Sequence, residues 1–136
     1  MNEINKKLNV ENEWKKVIEA LSEARLLFEK DHPGGSISRA YYAVFHAGRS
    51  LLFSEGLETR SHQGLGRLFS LHFVKTGRFD ARFSRILSKA QKYREEADYS
   101  ADYVFTIGDA GERLKEVGEF ISAAENFLRA KGFLAI

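Results

Sequence analysis

The sequence contains no cysteine and a single proline, and it has no long run of apolar residues. Without cysteine, disulfide bonds and thiolate chemistry are excluded, and a reducing compartment is the natural environment. No window holds the roughly 20 apolar residues that a membrane span needs, and the polar residues 1–7 do not resemble a signal peptide. We therefore expect a cytoplasmic protein with no membrane contact.

The scarcity of proline and the clustering of glycine predict long helices with few breaks. Apolar residues recur at helical spacing, and no run of alternating residues is long enough to predict a strand. The length of 136 residues fits one domain, 1–136, with a core of about 11–131. The sequence thus predicts an all-α fold, an antiparallel up-and-down bundle of four to five helices.

The expected helix boundaries follow from apolar spacing and from capping residues. The five helices are expected at about 11–31, from a cap near Ser36 to about Glu55, from a cap at Ser61 to residues 75–77, at about 79–99, and onward from a capping box of Thr106 and Asp109.

The second helix carries a stripe of small residues beside its apolar face, which predicts that both faces are packed. The small residues are Ser36, Ala40, Ala43, Ala47, Ser50 and Ser54. A third stripe contains Arg39, Tyr42, His46, Arg49 and Phe53. Because an enclosed cation needs partners, Arg39 and His46 either satisfy structural contacts or line a polar pocket.

Basic residues are concentrated between residues 61 and 100, where eight Lys and Arg face four Asp and Glu. Five of them recur at spacings of three and four and predict a basic stripe on the fourth helix: Arg78, Arg82, Arg85, Lys89 and Lys92. Such a stripe can follow a phosphate backbone, or it is a solvated helix face.

The end of the fourth helix brings an arginine, a carboxylate and an aromatic residue together. Arg94 and Asp98 are four residues apart, so they can pair on one helix face, and Tyr99 follows. An arginine held in this way can present its guanidinium group to a phosphate. Alternatively, Arg94 joins the fourth helix to the second as a structural clamp.

Four segments together resemble the HEPN family, the higher eukaryotes and prokaryotes nucleotide-binding domain, in its small stand-alone prokaryotic branch. They are residues 38–47 (SRAYYAVFHA), 61–64 (SHQG), 72–77 (HFVKTG) and 94–99 (REEADY). The resemblance covers about residues 11–131. It implies a cytosolic, dimer-forming helical bundle, often paired with a minimal nucleotidyltransferase in a toxin–antitoxin system.

Many HEPN proteins are metal-independent ribonucleases that use an arginine followed, after four to six residues, by a histidine. In this chain the segment after Arg94 contains no histidine. The spacing itself occurs elsewhere, from Arg39 to His46 and from Arg67 to His72. The departure at Arg94 favours a binding module over an enzyme.

We therefore expect a HEPN-like module that binds nucleotide or RNA, or docks a minimal nucleotidyltransferase. The candidate binding residues are Arg39, Tyr42, His46, Arg94, Asp98 and Tyr99. The alternatives are a metal-independent endoribonuclease toxin, with His46, Arg39 and Arg94 as catalytic candidates, and a purely structural dimerisation domain. The four histidines lack metal-ligand spacing, so we expect no metal and no cofactor; His62 is interpreted as a solvated first-turn residue.

Overall fold

Five α-helices and one short π-helical segment account for most of the residues that the computed structural model describes, 1–100 and 104–135. The helices are α1 (Glu3–Glu29), α2 (Pro33–Ser54), α3 (His62–Phe69), α4 (Arg82–Tyr99) and α5 (Ile107–Ala130), with the π-helical segment Ser70–Val74 following α3. No strand occurs in these residues. The predicted all-α bundle is confirmed.

No described helix is long and apolar enough to cross a lipid bilayer.

Helix α1 begins at Glu3, about eight residues before the predicted start. The Asn2 side chain caps it by accepting a hydrogen bond of 2.8 Å from the Asn5 backbone N–H. The first two turns escaped prediction because their apolar residues, Ile4 and Leu8, are exposed, and the buried face begins only at Val10.

A tight turn joins α1 to α2 and forces the two helices to run antiparallel. Asp31 adopts a left-handed conformation (φ 62°), and the His32 N–H donates to the Leu27 carbonyl at 2.8 Å. Pro33 then opens α2, where its missing N–H leaves no bond unmade. The predicted cap near Ser36 is therefore wrong: the Ser36 hydroxyl is buried and donates to the Ala24 carbonyl of α1 at 2.8 Å.

Helix α2 lies at the centre of the bundle and packs against α1, α3, α4 and α5. All six small residues of its predicted stripe are buried. Small side chains let a neighbouring backbone approach closely, and the bond from Ser36 to Ala24 shows that α1 is that neighbour at the start of the stripe. The prediction that α2 is packed on two faces is confirmed.

Of the other predicted helix starts, those of α3 and α5 are confirmed and that of α4 is corrected. Ser61 caps α3, accepting from the Gly64 N–H at 2.9 Å, and Thr106 and Asp109 form the predicted capping box of α5. Helix α4 begins at Arg82, and not near residue 79 as predicted. Phe79 fits the apolar spacing and is buried, but it lies outside the helix, so the spacing predicted too early a start.

Phe120→Ala is expected to destabilise the bundle strongly, because this ring is fully buried and contacts Phe69 and Phe83 at centroid distances of 5.3 and 5.9 Å. We expect urea titration to show a loss of about 3–5 kcal/mol in unfolding free energy. Ile18→Ala, at a side chain that is 61% exposed, should change it by less than about 0.5 kcal/mol. Equal losses in the two variants would contradict the assignment of Phe120 to the core.

A candidate site around Arg94 and His62

Arg94 is buried among tyrosine rings where α2 and α4 meet. It lies on the core-facing stripe of α4, at helical spacing from Phe83, Leu87 and Ala90, and is only 5% exposed. Its guanidinium carbon lies 5.1 Å from the ring centre of Tyr41, 5.9 Å from that of Tyr42 and 5.7 Å from that of Tyr99. The tyrosine rings therefore provide much of the cation's environment.

His62, the first residue of α3, completes this environment. Its Nδ1 forms a hydrogen bond with the Tyr41 hydroxyl, and its Nε2 lies 3.4 Å from Arg94 Nη2. Since a guanidinium group can only donate, Nε2 must accept, which leaves the imidazole proton on Nδ1 to be donated to the Tyr41 oxygen. The expectation that His62 is a solvated residue is therefore wrong: it is half-buried and in contact with two site residues.

Electrostatics keep this imidazole neutral. Burial, and then the positive charge of Arg94, lower the pKa of His62 below its usual 6.5, against the smaller opposing effect of Glu95. Burial raises the pKa of Tyr41, so its phenol is protonated at neutral pH. Arg94 thus faces two uncharged hydrogen-bonding groups.

One carboxylate and one exposed ring complete the site on the α4 side. Asp98 Oδ2 lies 3.6 Å from Arg94 Nη1 and accepts from the Ser38 hydroxyl at 3.3 Å. Tyr99 is 77% exposed, with its hydroxyl 3.5 Å from Arg94 Nη1. The buried Arg94 Nε has no hydrogen-bond partner among residues 1–100 and 104–135. We name these residues the Arg94 pocket: Ser38, Tyr41, Tyr42, His62, Arg94, Asp98 and Tyr99.

Four of the six predicted binding residues, Tyr42, Arg94, Asp98 and Tyr99, come together in this pocket. Arg39 lies beside it, with its guanidinium carbon 5.0 Å from the Tyr42 ring centre. His46 belongs to a different cluster, described next.

The second cluster is built around Glu13 of α1, which is 4% exposed. Glu13 Oε2 accepts from His46 Nδ1 at 2.7 Å and lies 3.2 Å from Arg49 Nη1. Burial alone would raise the pKa of Glu13, but the hydrogen bond from His46 and the charge of Arg49 outweigh it and lower the pKa below the usual 4.5. His46 therefore has a buried, ionised carboxylate as its partner.

The basic stripe is largely neutralised by neighbouring carboxylates. Arg82 pairs with Glu119 at 2.6 Å and Lys89 with Glu116 at 3.5 Å, both on α5. Arg78 pairs with Glu55 and precedes α4, so it does not share the helix as predicted. Arg85 and Lys92 are exposed and form no ion pair within the described part of the chain. Only part of the predicted stripe is free to meet a phosphate backbone.

Among the described residues, no group of three or more His, Asp or Glu side chains is arranged to hold a metal ion.

A sequence profile of the HEPN domain matches residues 10–131, nearly the whole chain and close to the expected 11–131. This chain belongs to the HEPN family. The helical bundle with α2 at its centre is therefore the fold of this HEPN domain.

Relatives of this HEPN domain occur in archaea. Two Methanocaldococcus jannaschii proteins, each named "Putative toxin", are 38% identical over 84 residues (62% of this chain, 63% of the relative) and 26% identical over 131 residues (93% and 89%). A "UPF0332 protein" of Pyrococcus horikoshii is 42% identical over 82 residues, 60% of this chain and 58% of the relative. The first and third matches thus span less than two thirds of the relative's length.

Sequence reasoning missed four residues of the two clusters. Ser38 and Tyr41 were not among the predicted binding residues, His62 was expected in solvent, and Glu13 received no role. His62 and Arg94 are 32 positions apart, and Glu13 and His46 are 33 apart, so no local spacing connects either pair. The available signal was that residues 38–47 and 61–64 were part of the family resemblance.

Acid should destabilise the native protein in part through His62. Because its folded-state pKa is lowered, the unfolded chain binds more protons, so the stability that neutral His62 provides is present above about pH 6.5 and is lost as the pH falls below it. We expect His62→Gln to show a shallower loss of unfolding free energy between pH 7.5 and pH 5. An NMR titration that placed the His62 pKa above 6.5 in the folded protein would contradict this assignment.

Proposed function

We propose that this HEPN domain is a toxin-type module that binds a nucleotide or an RNA phosphate group in the Arg94 pocket. The observation that carries the proposal is a buried guanidinium group whose Nε has no partner in the described residues and whose nearest carboxylate oxygen is 3.6 Å away. A buried cation with incomplete pairing is poised to accept an anion. The "Putative toxin" names of two relatives support the wider assignment.

The rings of the pocket support a nucleotide over a simple anion. Tyr99 offers an exposed ring beside the guanidinium group. Bases stack on aromatic side chains, and phosphates pair with arginine, so one ligand can use both features. The alternative interpretation of Arg94, a structural clamp between α4 and α2, involves the same contacts. A bound ligand would add its own contacts to them.

A second candidate function is metal-independent cleavage of RNA. It is favoured by the contact of His62 Nε2 with Arg94 Nη2, which restores to this pocket the histidine that the sequence lacks after Arg94. A neutral imidazole can act as a general base toward a 2′-hydroxyl, and the guanidinium group can stabilise the charge that develops on the phosphate. For this step the ligand must displace Arg94 from Nε2.

Two partners enter this proposal from the family resemblance alone: a second copy of the chain and a minimal nucleotidyltransferase. Light scattering at micromolar concentration tests the homodimer. Co-purification with a nucleotidyltransferase encoded beside the gene tests the second partner. A monomer would also argue against the alternative of a purely structural dimerisation domain.

The binding test is incubation of the purified protein with labelled mixed RNA in EDTA, followed by a retardation assay and analysis of fragments. We expect wild type to retard RNA and Arg94→Gln to weaken binding by about tenfold, since a charge-assisted bond to phosphate is lost. Arg94→Lys keeps the charge and the fold but loses the planar fork, so it should lie between the two. Folded Arg94→Gln and His62→Gln proteins that bound like wild type would remove the pocket as the binding site.

The same assay decides between binding and cleavage. Fragments produced by wild type and reduced by about 10²–10⁴-fold in His62→Gln would establish His62 as an acid–base group. Fragments that persist in His62→Gln but disappear in His46→Ala would place the reaction at the Glu13 cluster instead. Retardation of RNA without any fragments would support a binding module and not a ribonuclease.

A further inference from the structure

A cavity of about 210 Å³ lies between α1 and α2, next to the Arg94 pocket. Its polar lining comprises Lys16, Glu19 and Glu23 from α1 and Arg39, Tyr42 and His46 from α2. The lining therefore offers two cations and a histidine for an anion, and two carboxylates for hydrogen-bond donors. That combination matches a ligand with a phosphate at one end and hydroxyl or amino groups at the other.

His46 is held in a fixed orientation at the wall of this cavity. Its Nδ1 is engaged by the buried Glu13 at 2.7 Å, while Nε2 has no hydrogen-bond partner within residues 1–100 and 104–135. A buried carboxylate on one ring nitrogen fixes the tautomer and leaves the other nitrogen available. Glu13 is thus a positioning residue for His46.

Arg39 is the cation of the cavity that remains available to a ligand. It stacks on the Tyr42 ring and forms no ion pair with any described residue, whereas Lys16 already lies 3.7 Å from Glu13. Stacking on a ring fixes the plane of a guanidinium group and leaves its N–H edge free to bind an oxyanion.

The cavity and the Arg94 pocket share one side chain. The Tyr42 ring centre lies 5.0 Å from the guanidinium carbon of Arg39 and 5.9 Å from that of Arg94. Two arginines on one ring present two neighbouring phosphate-binding groups, as a strand with regularly spaced phosphates requires.

We infer that the cavity is a second nucleotide subsite, so that the ligand of this protein is a single-stranded oligoribonucleotide which crosses α2 from the Arg94 pocket to Arg39 and His46. The cavity is smaller than the roughly 300–1,000 Å³ of sites that enclose a whole small ligand, so it takes one part of a larger one. Arg39 meets the phosphate, and Glu19 and Glu23 accept from hydroxyl or amino groups. This inference rests on the proposed function of the Arg94 pocket.

The test compares the affinities of adenosine monophosphate and of a tetraadenylate with non-cleavable 2′-fluoro sugars, measured by fluorescence anisotropy over a range of salt concentrations. We expect wild type to prefer the tetranucleotide. Arg39→Gln should lower tetranucleotide affinity by about tenfold, more than it lowers monophosphate affinity. It should also reduce the slope of log affinity against log salt by about 0.7, the value for one lost contact to a single strand.

Arg25→Gln is the matched control, because it removes the same charge from an exposed position of α1 that does not line the cavity. It should change tetranucleotide affinity by less than about twofold. His46→Ala should also lower the affinity for the tetranucleotide, as Arg39→Gln does, since it removes Nε2 from the wall of the cavity.

Failure of this inference can be told apart from failure of the proposed function. If wild type binds both ligands equally, and Arg39→Gln changes neither the affinity nor the salt slope, the second subsite is overturned while the Arg94 pocket stands. If wild type binds neither ligand, the proposed function is overturned, and the inference with it.

Discussion

An arginine that is only 5% exposed must obtain from the protein the solvation that water would otherwise supply to its guanidinium group. Arg94 obtains it from tyrosine rings, one imidazole and one carboxylate, which come from three different helices. The positions of α2, α3 and α4 relative to one another are therefore tied to the environment of a single cation. Replacing that cation by an apolar side chain would leave the polar groups around it without their common partner.

The packing of α2 makes this arrangement possible. Because its small residues let α1 approach closely on one side, the helix is enclosed, and its polar third stripe lies at the edge of the core instead of in open solvent. His46 and Arg49 share Glu13 on the α1 side, while Tyr41 and Tyr42 face Arg94 on the α4 side. One helix thus carries residues of both polar clusters.

Much of the fold could be predicted from the sequence because its signals are local. The caps at Ser61 and Thr106 depend on residues three positions away, and the apolar stripes depend on one helical period. Predictions failed where burial and helix formation separate: Phe79 is buried outside a helix, and Ile4 and Leu8 are helical but exposed. The pairing of Arg94 with Asp98 could also be predicted from the sequence, since it spans a single helical turn.

The contacts of His62 with Arg94 and of Glu13 with His46 could not be predicted from local sequence signals. His62 meets Arg94 only because α3 folds back across α2, and Glu13 meets His46 only because the turn at Asp31 brings α1 against α2. Neither contact leaves a periodic trace in the sequence. A histidine at the first position of a short helix is usually solvated, so its true environment emerges only once the third helix is placed.

The position of Tyr42 between two guanidinium groups has a mechanical consequence. A rotation of this one side chain about its first torsion changes the distances to Arg39 and to Arg94 together. The two arginines therefore share a conformational degree of freedom, and a ligand that tilts the ring at one of them alters the surroundings of the other. Effects of substitutions at these two positions should consequently not add, and the size of the deviation measures how rigidly the ring is held.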